Sequence, residues 1–287
     1  SQLVQVQYEF FDINREIKLA GEVLTGSVTQ LRDIAHEISN VVFEQVTGTR
    51  GAFTTEIMYV VAESVNSELT YFRLEKSDYD GQRAQVLLES VEPIMSPSWS
   101  PTGSDVAYVS FETDLPRIYI QNIDTGHRRQ LTNYPHLNSS PAWSPDGTKL
   151  AMVLSKDGSP DIYVQDLTTN QLIQVTDHPL IDTEPSWTAD SRSIVFMSER
   201  TGQPQIYQIE LGASSFDVER LNYDCCQWLN AQFMPERVDL VHGRRETRQD
   251  PNYEIAVLNI ETLTIITLTS TSLDESPSVA PNGSMIM

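Results

Sequence analysis

Basic residues are scarce in this 287-residue chain: 19 Lys and Arg stand against 40 Asp and Glu, a formal net charge of -21. A field of that sign repels phosphate backbones and anionic headgroups, which excludes nucleic acid as an expected partner and otherwise serves solubility. Cysteine is nearly absent. The two present, Cys225 and Cys226, are neighbours; a trans peptide sets their Cα atoms about 3.8 Å apart, below the disulfide range, so they read as small, mostly buried thiols. No apolar run approaches a membrane span, so the chain is not expected to be membrane-embedded, and Ser1 to Phe11 lacks the form of a signal peptide. Those residues already read as strand, Leu3-Val4-Gln5-Val6-Gln7-Tyr8-Glu9-Phe10, so more chain, with any export signal, is expected upstream.

Catalytic signatures are missing as well. The histidines, His36, His127, His136, His178 and His242, are scattered, and neither a Gly-x-Ser-x-Gly elbow nor a His-Glu-x-x-His pair occurs. Asp146-Gly147 lacks the spaced carboxylates of a calcium loop and reads as turn chemistry. No enzyme, cofactor or metal centre is expected. Length is not short: 287 residues allow two domains or one large all-β domain.

Residues 1 to 25 alternate as two strands around an Asp12-Ile13-Asn14 turn. From Ser27 to Val46, apolar residues at Leu31, Ile34, Ala35, Ile38, Val42 and Val46 line one face of a helix, and Gly48 closes it. Residues 1–50 therefore read as the later part of a small α/β domain, and residues 51–287 as a continuous β structure.

Self-similarity identifies that structure. Pro97-Ser98-Trp99-Ser100-Pro101-Thr102-Gly103 returns as Pro141-Ala142-Trp143-Ser144-Pro145-Asp146-Gly147 and as Pro185-Ser186-Trp187-Thr188-Ala189-Asp190-Ser191, with weaker copies centred on Phe233 and Val279. The central positions are spaced by 44, 44, 46 and 46 residues, a period that suits the four short strands of a propeller blade. Within a copy, a turn leads into an apolar strand such as Leu150 to Leu154. A second strand follows, Asp161-Ile162-Tyr163-Val164, then a shorter one ending in Gln130-Leu131-Thr132 or Gln174-Val175-Thr176. Trp99, Trp143 and Trp187 are expected between blades, as core. In a propeller the connections from one blade to the next gather at one mouth of the channel. They carry Asn138, Ser139, Asp182, Thr183, Glu184, Asp224, Asp274 and Glu275, a polar rim on a rigid scaffold and so a candidate binding surface.

The Pro-x-Trp-Ser-Pro-Asp-Gly repeats resemble those of the TolB family. So do Val42-Phe43-Glu44-Gln45-Val46-Thr47-Gly48-Thr49-Arg50-Gly51-Ala52-Phe53, Asp182-Thr183-Glu184-Pro185-Ser186-Trp187 and Leu273-Asp274-Glu275-Ser276-Pro277-Ser278. The resemblance covers almost the whole chain in order. It implies a six-bladed β-propeller, mainly β, incomplete at the C-terminus, with strands near 56–62, 70–75 and 84–89 as a blade lacking its inner strand. It also implies a non-enzymatic, monomeric, periplasmic component of the Tol-Pal system, which supports outer-membrane integrity and constriction at division. The lipoprotein Pal would bind the propeller, TolA an N-terminal region upstream of Ser1, and some colicins the same propeller. The positions matching the family's Pal contacts are Leu137, Ser140 and Thr183; other members carry histidine where Leu137 stands. Two alternatives remain open: the regulatory propeller of a serine hydrolase whose catalytic domain lies outside this chain, and a sugar-binding propeller with Tyr134 and Tyr223 at its mouth.

Overall fold

A computed structural model describes residues 2–66, 69–212, 217–222, 226–235, 239–245, 252–269, 271, 274 and 276–287. Two compact units result: Ser1–Ile57 with Ser77–Ala84 and Val279–Met287, and Met58–Lys76 with Gln85–Ser278.

In the first unit, β1 (Leu3–Gln7), β2 (Phe10–Asp12), β3 (Ile17–Ala20) and β4 (Val23–Ser27) form two nested pairs, β1 with β4 and β2 with β3. The sequence pattern suggests two strands here. Four form because the ladder stops at Gln7 and Val23 and resumes only at Phe10 and Ala20. The Asp12 carboxylate makes the turn by accepting the Asn14 and Arg15 amides at 2.9 and 3.1 Å. A 3-10 turn, Val28–Gln30, leads into helix α1 (Leu31–Thr47), which ends at Gly48 with φ 81°, the left-handed conformation glycine accepts most readily. Its buried face is more polar than the periodicity suggests. Ile34 is buried, but so are His36 and Asn40, while Val46 is exposed.

The second unit is an array of five blades built on antiparallel sheets. Blade one has three strands, β5 (Glu56–Ser64), β6 (Thr70–Asp78) and β7 (Gln85–Ser90). Blade two runs β8 (Ile94–Trp99), β9 (Asp105–Ser110), β10 (Arg117–Asn122), β11 (Arg128–Gln130); blade three β12 (Asn138–Trp143), β13 (Lys149–Leu154), β14 (Asp161–Asp166), β15 (Leu172–Gln174). Blade four runs β16 (Asp182–Trp187), β17 (Ser193–Ser198), β18 (Gln205–Glu210), β19 (Val218–Arg220); blade five β20 (Gln227–Phe233), β21 (Asp239–Arg245), β22 (Glu254–Asn259), β23 (Thr264–Thr267). The first strands β8, β12, β16 and β20 pack side by side.

Core lies between blades. Ala107, Val109, Ile118 and Ile120 of blade two meet Leu150, Met152, Leu154 and Tyr163 of blade three, and β9, β13 and β17 are buried almost end to end. That explains their unbroken apolar runs, since both faces are covered. Trp187 is buried and its indole donates to the Ala142 carbonyl of the preceding blade at 2.9 Å, so it is the inter-blade core residue its repeat predicts. The Asp146 carboxylate takes the Ser144 hydroxyl and the Thr148 amide at 2.6 and 2.9 Å. That is turn chemistry.

The fourth strands stop earlier than their sequences suggest. Thr132 and Thr176 lie past the strand ends, and each hydroxyl accepts the amide of the neighbouring strand's isoleucine, Ile118 or Ile162, at 2.9 Å. Asn222 and Thr269 do the same for Ile206 and Ile255. A side-chain oxygen thus replaces the next carbonyl of the ladder and releases the chain toward the following blade.

Candidate functional site

The connections between blades are built from these releases onward. Between blades two and three, Asn138 is fully buried and its amide donates to the carbonyls of Tyr134 and His136 at 2.9 and 3.1 Å. The Leu137 amide donates to the Ser155 hydroxyl at 3.0 Å. Between blades three and four, the buried Asp161 carboxylate accepts the His178 amide at 3.0 Å. Burial, then the nearby Asp182 charge, raises the Asp161 pKa. Asp182 is also fully buried, paired with Arg200 at 2.9 Å.

The predicted rim residues therefore divide. Leu137, Ser139, Ser140, Thr183, Glu184 and Asp274 are partly exposed, whereas Asn138 and Asp182 face inward and brace the loops. Asp274 is braced by its own turn: hydroxyl hydrogen bonds from Thr269 and Thr271 hold its carboxyl below the usual range. Asp224, Glu275, Cys225 and Tyr223 lie outside the described residues. Tyr134 is only partly exposed and packs against the core between blades two and three.

A feature absent from the sequence reading joins the connections. Ser96, Ser140, Glu184, Asn230 and Ser276 have φ of 50°, 49°, 55°, 48° and 57°, one such residue ahead of each repeat. Four of them sit at bulges, where pairing slips between Met95 and Ser98, Ser139 and Ala142, Thr183 and Ser186, and Leu229 and Gln232. A positive φ in a non-glycine residue costs on the order of 1–3 kcal/mol and concentrates at functional positions. The positions also link blade to blade. Glu184 Oε2 accepts the Asn230 amide at 2.7 Å, and Asn230 Nδ2 donates to Ser276 Oγ at 2.9 Å. The period of the repeat was the available signal, since these residues immediately precede Pro97, Pro141, Pro185, Ala231 and Pro277.

Around this polar line the surface is mixed. Met95, Leu180 and Ile181 are exposed, and a cavity of about 410 Å³ opens beside Arg200, lined by Gln174, Thr176, Asp177, His178 and Val218 among others. The His178 ring Nδ1 accepts the Leu180 amide at 3.1 Å. In its neutral form the ring therefore carries its proton on Nε2. Among the described residues no cluster of three His, Cys, Asp or Glu side chains is placed to hold a metal, and no helix is long and apolar enough to cross a membrane. What the rim offers is a run of short polar side chains, Ser139, Ser140 and Thr183, beside the exposed Met95, Leu180 and Ile181.

A family model, the TolB beta propeller domain, matches residues 43–287. Over 137 residues the chain is 50% identical to the Tol-Pal system protein TolB of Pseudomonas fluorescens; that stretch spans 48% of this chain and 32% of the relative's length. The crystal structure of TolB from Acinetobacter baumannii superposes with a TM-score of 0.90 at 35% identity, covering 98% of this chain and 69% of that one. A puromycin hydrolase, 14% identical, superposes with a TM-score of 0.58 over 79% of this chain and 39% of its own. At that identity the likeness is one of fold alone.

Proposed function

The chain belongs to the TolB β-propeller family, and from that membership we propose that it is a non-enzymatic, periplasmic binding component of the Tol-Pal system. Its rim takes the lipoprotein Pal, and colicins are candidate competitors for the same face. TolA binding belongs to the N-terminal region of the family. In this reading residues 1–50 are the later part of an α/β domain and residues 51–287 a monomeric six-bladed propeller. Its sixth blade begins at Pro277. Three observations favour six blades: blade one has three strands where the others have four, a fifth repeat turn occurs at Pro281-Asn282-Gly283, and Val279 pairs with Ile286 across it.

The observation that carries the partner assignment is the placement of Ser140 and Thr183. Both are partly exposed at the same bulge in successive first strands, and Ser140 holds a positive φ. Arginine at both positions is expected to weaken Pal binding at least about tenfold by steric block and desolvation. Isothermal titration of the Ser140→Arg, Thr183→Arg variant with the soluble domain of Pal measures it. Unchanged affinity alongside unchanged circular dichroism overturns the assignment.

A further inference from the structure

Asp182 begins blade four with its side chain fully buried, and a carboxylate so placed must be paired or neutralised. Among the described residues its one side-chain partner is Arg200, whose Nη2 donates to Oδ2 at 2.9 Å; Oδ1 has none. Across the same connection stands a second buried carboxylate, Asp161, whose proton affinity is raised by burial and by the Asp182 charge. The chain from Val175 to Ile181 thus runs between two carboxylates that repel, and Arg200 offsets that repulsion.

Arg200 is itself held firmly. Its Nε donates to Ser198 Oγ at 2.9 Å, and its guanidinium lies 4.8 Å from the Tyr207 ring centroid and 5.4 Å from that of Phe196. On either side, the Glu199 amide bonds the Ile181 carbonyl at 3.1 Å and the Asp182 amide bonds the Pro160 carbonyl at 2.9 Å. Leu180 and Ile181 project outward, 43% and 40% exposed, with Thr183 just beyond. One repeat earlier the arrangement differs. Asn138 stands where Asp182 does and Lys156 where Arg200 does, and Lys156 pairs with its neighbour Asp157 instead. A neutral amide needs no cation, so the charge pair is particular to blade four among these two.

We propose that Arg200 is a positioning residue of the rim: by pairing with Asp182 it fixes the Leu180-to-Thr183 segment in the shape on which a protein partner docks. This rests on the reading of that face as the Pal-binding surface, and it adds to that reading a residue with no need to touch the partner. Neutralising Arg200 leaves a buried carboxylate unpaired, and the segment escapes toward water.

The test uses the full 287-residue chain as wild type, Arg200→Met, and Arg200→Met with Asp182→Asn, followed by hydrogen exchange and by titration with the soluble domain of Pal. In Arg200→Met the Asp182 and Glu199 amides are expected to exchange at least about tenfold faster, the Ile162 amide to stay as it was, and Pal affinity to fall about tenfold. The added Asp182→Asn change is expected to bring both back to within about threefold, because position 182 then carries no charge that needs a partner. Unchanged exchange at those two amides, or no recovery in the double variant, overturns the proposal. Should Arg200→Met not fold, Arg200→Lys replaces it; it keeps the charge, so the Asp182 and Glu199 amides are expected to exchange within about threefold of wild type, and a rise of about tenfold counts against the pairing. Expected exchange with no Pal binding by wild type overturns the partner reading and leaves the hold of Arg200 on the segment supported.

Discussion

Asn138 and Asp182 occupy the same place in successive repeats, are both fully buried, and meet the cost of burial by different means. Asn138 donates to two carbonyls of the loop before it, so its role is to shape that loop. Replacing it with alanine strands those carbonyls, and Asn138→Ala is expected to lower unfolding free energy by about 1–3 kcal/mol in urea titrations. The adjacent, partly exposed Ser139 is the control, with Ser139→Ala expected within about 0.5 kcal/mol of wild type. Sequence placed Asn138 and Asp182 in the connections between blades, whereas they are the first residues of β12 and β16, and it did not give their direction, because a turn of one residue decides whether a polar group faces a partner or a carbonyl. Trp228 shows the same limit. It falls outside the Pro-x-Trp repeat, so no periodic signal marks it, yet it is fully buried and stacked on His242 with centroids 3.7 Å apart.

At the scale of elements, helix α1 is anchored largely by charge and hydrogen bonds. Asp78 Oδ2 accepts Nε of Arg32 from the helix and Nε of Arg83 from its own loop, each at 2.9 Å, and Arg83 Nη2 reaches Asp33 of the helix at 2.6 Å. The Asn40 side chain accepts the Phe53 amide at 2.9 Å, which explains a buried asparagine on a face where periodicity placed aliphatic residues. The Arg83 hydrogen bonds foremost, and then those of Arg32, hold the Asp78 carboxyl below its ordinary range. Its folded pKa is therefore lower than its unfolded one. The stabilisation is complete above the unfolded value of about 3.9 and is lost as pH falls below it toward the folded pKa. The melting temperature of wild type is expected to drop through that window, while Asp78→Asn starts lower at pH near 7 and declines less. Parallel slopes in circular dichroism melts would assign the acid sensitivity to other carboxylates.

For the molecule as a whole, a net charge of -21 repels itself, and the ion pairs around α1 are local exceptions. Raising salt from about 20 to about 500 mM is expected to raise the melting temperature, because screening relieves long-range repulsion more than it weakens partly buried pairs. A fall would mean that the pairs dominate. The repeat of 44 to 46 residues, by itself, determined blade architecture, strand order within a blade and the inter-blade place of Trp187, because each follows from periodicity and from the covering of both faces of a sheet. Only the tertiary structure decided which rim residues point outward, that Thr132 and Thr176 end strands with their hydroxyls, that residues ahead of the prolines take positive φ, and that Arg200 holds Asp182. Those depend on contacts between positions far apart in a repeat or in neighbouring blades, and a sum of local preferences contains no information about which charge will find which partner once both are buried.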